Sequence, residues 1–261
     1  MKRLLFTLAT CCVMCACEQK TEMNPFFTEF QTEYGAPDFD KIKIEHYEPA
    51  FLKGIEEQNA EIKAIVESRE TPGFENTIVA LDNSGRTLAR VKGVFYALTE
   101  ADTNDEMSAL SEKIAPVLSE HNDNIYLNQD LYKRVAAVWQ QEQEGKITLT
   151  TEQHRLLDRY HKAFIRSGAG LDAGKQNRLR EINKELSTLA ITFSNHVLNE
   201  NNAYRLVIDN EAELAGLPEW VKTGAAEEAK AVGKEGKWLF TLQNSSRLPL
   251  LQYADNRELR K

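Results

Sequence analysis

The five histidines of the sequence decide first which metal chemistry the chain can carry out. They are His46, His121, His154, His161 and His196. A zinc site of the H-E-x-x-H type needs two histidines four residues apart on one helix face, with a glutamate between them that activates water. No two histidines in the 261 residues have this spacing. The sequence therefore excludes a hydrolytic zinc site of this type from the chain.

One helical segment, "HRLLDRYH", could still present metal ligands. His154, Asp158 and His161 fall at positions i, i+4 and i+7, so one helix face could carry all three. Two imidazoles and a carboxylate can bind zinc or iron. The alternative is a solvated stripe paired with neighbouring arginine and lysine side chains, which is common on charged helices. The sequence favours this alternative, and His196 with Glu200 offers two ligands at most.

Motifs for other catalytic chemistry are absent from the sequence. It has no G-x-S-x-G nucleophile elbow, no phosphate-binding P-loop and no G-x-G-x-x-G dinucleotide fingerprint. The segment "SGAG" at residues 167–170 joins two predicted helices instead of following a strand, and is therefore interpreted as a loop. No catalytic, cofactor-binding or metal-binding residue is assigned.

The N-terminus has the pattern of a bacterial lipoprotein signal. Two basic residues precede an apolar run from Leu4 to Ala16, which is shorter than the roughly 20 residues that span a bilayer. Residues 1–16 are predicted to be a signal peptide, Cys17 the acylated first residue of the mature protein, and residues 17–40 a tether and extended segment. The alternative is a cleavable signal without lipidation. We expect a lipid anchor in the bacterial cell envelope, with the protein facing the periplasm.

Cysteine content and charge exclude further classes of protein. All four cysteines lie in the first 17 residues, so the body of the chain has no disulfide framework and no thiolate metal site. Without residues 1–16, the chain carries 30 basic against 40 acidic side chains. Nucleic-acid binding depends on basic side chains that neutralise phosphate. The composition therefore argues against a nucleic-acid partner.

Apolar periodicity predicts a mainly α fold, a multi-helix array with a small two-stranded β patch near the C-terminus. The predicted helices are Glu45–Arg69, Phe74–Ala101, Asp105–His121, Asp130–Glu144, Thr151–Ser167 with Thr151 as its cap, Asp172–Asn199, Pro218–Val232, and one that begins at Asp255 or Asn256. The predicted strands are Tyr204–Asp209 and Lys237–Leu242. The 172–199 helix takes its apolar positions from Leu179, Ile182, Leu186, Leu189, Ile191, Phe193 and Val197.

The stretch "PGFENTIVALDNSGRTL" contains a turn-like "DNSG" inside a helical pattern. Gly85 lies on an apolar stripe whose phase continues through this segment, which predicts one unbroken helix with a glycine packed against a neighbour. Most aromatic side chains are expected in the core, and "NPFF" is expected to dock on the body. These aromatic residues are Phe26, Phe27, Phe74, Phe95, Tyr96, Trp139, Trp220 and Trp238.

Seven short motifs, in order along the chain, resemble a known family. They are "NPFF" (24–27), "HYEPAF" (46–51), "PGFENTI" (72–78), "SGRTLARV" (84–91), "FIRSGAGL" (164–171), "ELAGLP" (213–218) and "ADNRELRK" (254–261). Together they resemble the N-terminal half of the peptidyl-dipeptidase branch of the thimet oligopeptidase and oligopeptidase A family of zinc metallopeptidases.

This resemblance implies a two-lobed helical enzyme with a deep channel that releases C-terminal dipeptides from short unstructured peptides. Its zinc ligands and general base lie in the C-terminal half, so none is carried over to this chain. The resemblance implies that residues 41–261 are the helical N-terminal domain, cut before the catalytic half, inactive alone, and part of the channel walls. The alternative is a non-catalytic helical lipoprotein that binds a partner.

Overall fold

The computed structural model describes residues 23–261, and its architecture is mainly helical. The predicted signal peptide and Cys17 lie outside these residues. The helices are α1 (Ile44–Glu67), α2 (Ala80–Asp82), α3 (Arg86–Ala101), α4 (Asp105–Tyr126), α5 (Gln129–Gln143), α6 (Thr151–Arg166), α7 (Ala173–Ala203), α8 (Glu219–Ala231), α9 (Asn244–Tyr253) and α10 (Arg257–Arg260). A π-helix covers Phe74–Val79, and short 3-10 turns cover Pro25–Phe27, Glu33–Gly35 and Glu211–Leu214.

The two predicted strands form an antiparallel pair near the C-terminus. Strand β1 (Leu206–Ile208) pairs with β2 (Trp238–Phe240), so that Leu206 lies opposite Phe240. This confirms the predicted mainly α fold with a small β patch. Helix α9 was not predicted, because Pro249 inside it interrupts the helical pattern. No helix in residues 23–261 combines the length and apolar composition needed to cross a bilayer.

The first hydrophobic core joins the N-terminal segment to α1 and α3. Phe26 is fully buried and its ring packs 5.2 Å from that of Tyr47. Asn24 holds the segment in place, since its Nδ2 donates to the carbonyl of His46 at 2.7 Å. The expected docking of "NPFF" on the helical body is therefore confirmed.

Two further cores lie along the chain. The second packs α5 and α6 against the end of α1, around residues such as Ile62, Leu131 and Phe164. Buried Arg134 of α5 donates to the carbonyls of Ser68 and Glu70, which fixes the connection after α1. The third core belongs to the C-terminal unit of β1, α8, β2 and α9.

The prediction of one unbroken helix through Gly85 is wrong. The π-helix passes into α2, which ends at Asp82, and α3 begins only at Arg86. Gly85 adopts φ +73°, a left-handed conformation that favours glycine, and its N–H donates to Oε2 of Glu61 at 2.7 Å. The apolar stripe nevertheless holds, because Leu81 before the break and Leu88 after it are both buried. Packing against α1, and not helix continuity, therefore keeps the apolar residues before and after the break on the same side.

Three smaller expectations also change. Helix α4 continues five residues beyond the predicted end at His121, to Tyr126. The cap of α6 is Thr150, whose Oγ1 accepts from the N–H of Gln153, and not Thr151. Trp220 is 62% exposed instead of buried, because it lies on the outer side of α8.

The close helix approach expected at a glycine occurs at Gly54 of α1. A methyl group added there would lie 2.8 Å from the Cα of Leu88, so α1 and α3 touch through bare backbone at this point. Gly93 of α3 is a matched comparison, because a methyl group added there would contact nothing within 4 Å.

We expect Gly54→Ala to lower the free energy of unfolding by about 1–3 kcal/mol, because backbone atoms of α3 would have to move away. Gly93→Ala should instead raise it by up to about 1 kcal/mol through helix propensity. Urea unfolding followed by circular dichroism measures both values. Equal effects of the two substitutions would contradict close packing at Gly54.

Candidate functional site

Helix α7 is the element of this fold whose surface is least explained by packing within the chain. Within the described residues, none of the 31 residues of α7 is buried. Phe193 is 71% exposed and Leu186 is 56% exposed, both high values for large apolar side chains. A contiguous exposed apolar patch of this kind marks an interaction surface. We call it the α7 ridge; its members are Ile182, Leu186, Leu189, Phe193 and Val197.

The members of the α7 ridge follow one another at steps of four, three, four and four residues, so they share one helix face. The opposite face of α7 lies on α4 and makes its contacts there through polar side chains. Three hydrogen bonds cross this interface: Asn183 to Asp123 at 2.8 Å, Arg180 to Asn124 at 2.9 Å, and Asn195 to Glu112 at 2.8 Å. Helix α7 thus makes its hydrogen bonds to α4 with polar side chains and exposes most of its large apolar ones, although Leu179 and Leu186 also border the groove between the two helices.

Asp123 is the most buried of these polar groups, with 4% of its surface exposed. It borders a polar groove of about 500 Å³ between α4 and α7, which Ser119 and Arg166 also line. Burial raises the pKa of the Asp123 carboxyl, while the hydrogen bond from Asn183 and the charge of Arg180 act in the opposite direction. Asp123 was not a sequence candidate, because it lies beyond the predicted end of this helix at His121 and belongs to no recognisable motif.

His121 is buried on the other side of α4. Its Nε2 shares a hydrogen bond of 2.7 Å with Oε1 of Gln58, and Gln58 donates in turn to Ser84 at 3.2 Å. Burial, assisted by the charge of Lys92, lowers the pKa of His121, so the ring stays neutral near pH 7. This chain of contacts links α4 and α1 to the turn before α3.

The three candidate ligands of "HRLLDRYH" point to different partners. Nδ1 of His154 lies 2.8 Å from Oε1 of Glu142, and Asp158 accepts from Lys162 at 2.7 Å. His161 stacks on the ring of Trp139 at 4.6 Å and is partly buried, which lowers its pKa. The alternative of a solvated stripe paired with basic side chains therefore fits Asp158 but not His161.

The remaining sequence candidates do not assemble either. His196 and Glu200 are exposed on α7. Over residues 23–261, no group of three or more His, Cys, Asp or Glu side chains is placed to hold a metal ion. The described residues present an exposed apolar ridge and a buried carboxyl.

The raised pKa of Asp123 gives a pH-dependent prediction. Because the folded state holds this proton more tightly than the unfolded state, stability falls as the pH rises above the ordinary value of 3.8 toward the raised pKa. Asp123→Asn keeps the hydrogen-bond partner and removes the buried charge. We expect it to match the wild type below pH 3.8 and to melt at a higher temperature near neutral pH.

Thermal melts across this pH range measure the effect. Asp40→Asn makes the same charge change at an exposed position and should leave the pH profile of the wild type unchanged. A lower melting temperature for Asp123→Asn at neutral pH would show that the ionised carboxylate is stabilising where it lies.

Comparison with known proteins gives relatives over nearly the whole chain. Dipeptidyl carboxypeptidase of Escherichia coli is 40% identical over 241 residues, which are 92% of this chain and 35% of that protein. The protein of the same name in Salmonella typhimurium is 40% identical over 238 residues, 91% of this chain and 35% of its own length. Oligopeptidase A of Escherichia coli is 32% identical over 238 residues, 91% of this chain and 34% of its own. No protein-family model matches the chain.

The chain spans about a third of the length of the curated relatives it matches. The identity extends through the helical body and the C-terminal unit, because about nine tenths of the chain is aligned. This confirms the resemblance drawn from the seven ordered motifs. The chain is homologous, over nearly all of its length, to about one third of the peptidases of the thimet oligopeptidase and oligopeptidase A family.

Proposed function

We propose that this chain forms the N-terminal part of a zinc metallopeptidase that releases dipeptides from the C-termini of short, unstructured peptides. The observation that carries the proposal is 40% identity to dipeptidyl carboxypeptidase over 92% of the chain. Oligopeptidase A matches less closely, at 32%, which favours the dipeptide-releasing branch.

Zinc does not fit the residues described. The histidines are stacked, hydrogen-bonded within the chain or isolated, and residues 23–261 hold no suitable cluster of ligands. Hydrolysis in the whole enzyme would therefore depend on groups in the other two thirds of the relatives' length. This chain's share of the work is to shape the enclosure for the peptide.

The α7 ridge supports such a role. The five large apolar side chains of the ridge are removed from water only if another surface covers them. Helix α4 cannot be that surface, because it already packs on the polar face of α7. We propose that the remainder of the enzyme covers this ridge, and that α7 thereby joins the body of this chain to the wall of the peptide channel.

The cell envelope is the proposed location. The apolar run before Cys17 and the polar segment after it support lipidation of that cysteine, with the domain held close to a membrane. A single acyl chain binds membranes only reversibly, so stable anchoring requires a second acyl chain or another membrane-binding signal.

A chimaera tests the proposed activity. This chain would replace the homologous third of Escherichia coli dipeptidyl carboxypeptidase, and release of C-terminal dipeptides from short N-blocked peptides would be measured. We expect activity from the chimaera and none from the 261-residue chain alone. In the chimaera, Phe193→Lys should reduce activity or stability strongly, because it places a charge in the covered interface.

The control is Glu185→Ala, an exposed position of α7 outside the ridge and outside the face that packs on α4, which should leave activity unchanged. A folded but inactive chimaera would count against the proposal. If the isolated chain is a cooperatively melting monomer that binds no hydrophobic dye, the alternative of a free-standing helical lipoprotein is favoured instead.

Lipidation is tested separately in bacteria fed radiolabelled palmitate. We expect label in the wild-type chain and in Cys15→Ala, and complete loss of label in Cys17→Ala. Retention of label in Cys17→Ala, or its loss in both variants, would refute Cys17 as the modified residue.

A further inference from the structure

A second surface, distant in the chain from the α7 ridge, lies between the N-terminal turns of α1 and α4. It is an open groove of about 690 Å³. We call it the acidic groove, and its principal lining residues are Ile44, Glu45, Pro49, Leu52, Glu106 and Leu110. Nothing in the proposed peptidase role uses it.

The floor of the acidic groove is apolar. Leu52 is 49% exposed, although it belongs to the same helix that buries Tyr47 and Phe51 on its other side. Partly exposed Ile44 continues the apolar surface next to it, whereas Leu110 borders the groove but is 9% exposed and belongs to the first core. A partner that covers this floor would remove apolar surface from water, which is favourable.

The polar groups around the floor are hydrogen-bond acceptors. Glu45 and Glu106 place exposed carboxylates at the rim. Pro49 has no N–H, so the carbonyl of Glu45, four residues earlier in α1, lacks the amide donor that a helix ordinarily supplies. The groove therefore offers negative charge beside an apolar surface.

One further carboxylate of the groove is already neutralised. Both oxygens of Glu48 lie within 2.8 Å of the ammonium of Lys113, so this pair bridges α1 and α4. It leaves Glu45 and Glu106 as the carboxylates that remain for a partner at the groove. An anionic partner would be repelled there, and a purely apolar one would leave the acceptors unpaired.

We propose that the acidic groove binds a peptide segment that carries lysine or arginine side chains beside apolar ones. The cationic groups pair with Glu45 and Glu106, and the apolar side chains cover Leu52 and Ile44. The inference is independent of the proposed peptidase function, because it rests on the α1–α4 surface and not on the homology or on α7.

Binding can be measured by fluorescence anisotropy with the full chain. The probe is a labelled peptide of about 12 residues that carries leucines at helical spacing flanked by lysines, the pattern by which helices bind grooves. The control probe has every lysine replaced by glutamate. We expect saturable binding of the cationic probe, weakened by added salt, and no binding of the acidic probe.

Two variants assign the binding to the groove. The double variant Glu45→Gln/Glu106→Gln should weaken binding about tenfold. The variant Leu52→Ser should weaken binding both with and without added salt, because it removes an apolar contact. The variant Glu152→Gln/Glu227→Gln makes the same charge change on exposed residues of α6 and α8 and should bind like the wild type. All positions are solvent-accessible, and circular dichroism melts check that each variant is folded.

Equal weakening by the two double variants would overturn the proposal, since binding would then follow net charge alone. Tight binding of the acidic probe would also overturn it, because binding would then depend on the apolar residues of the groove and not on Glu45 and Glu106. The peptidase activity of the chimaera is a separate readout, so failure of either proposal leaves the other standing.

Discussion

The polar contact between α4 and α7 is the constraint on which the arrangement of the rest of this chain depends. The C-terminal unit has its own core, and α7 is the long helix that leads to it. Yet three side-chain hydrogen bonds cross the α4–α7 interface, and each contributes only about 0.5–1.5 kcal/mol net. One of them includes the buried carboxyl of Asp123, whose ionised form is disfavoured by its surroundings. The three directional hydrogen bonds determine where α7 lies, but they contribute little free energy to holding it there.

The α7 ridge completes this physical picture. Full burial of a large apolar side chain contributes about 1.5–3 kcal/mol, and the ridge presents five that are at least one-third exposed. Covering them could therefore stabilise α7 by several kcal/mol, comparable with its three polar contacts to α4. A helix with its polar side against its own chain and its apolar side outward is understandable as an internal element of a larger protein. The homology to about a third of much longer peptidases is consistent with this interpretation.

The sequence predicted element types well and local backbone geometry less well. Apolar periodicity located the major helices and both strands, because most of them bury one apolar face; α7 has the same periodicity, although its apolar face is exposed. It failed at Gly85, since a break that returns the chain to the same phase leaves the pattern of Ile78, Leu81 and Leu88 intact. The close approach of α1 and α3 at Gly54 was equally invisible, because it depends on which helices become neighbours. The absence of an H-E-x-x-H motif needed no structure, whereas the burial of Asp123 could be found only from the packing of α7 on α4.

The two unpaired surfaces differ in chemistry, and this difference separates their roles. The α7 ridge is a row of large apolar side chains, the composition of permanent interfaces that resemble a divided protein core. The acidic groove combines a smaller apolar floor with carboxylates that remain hydrated when nothing is bound. Hydrated charges lower the free-energy cost of leaving the groove uncovered, and they make binding of a partner sensitive to salt. Both properties suit a reversible contact. A permanent neighbour is thus expected on α7 and an exchangeable one between α1 and α4. Under the two proposals, one face of this helical domain is fixed within the larger protein and another remains open to a partner.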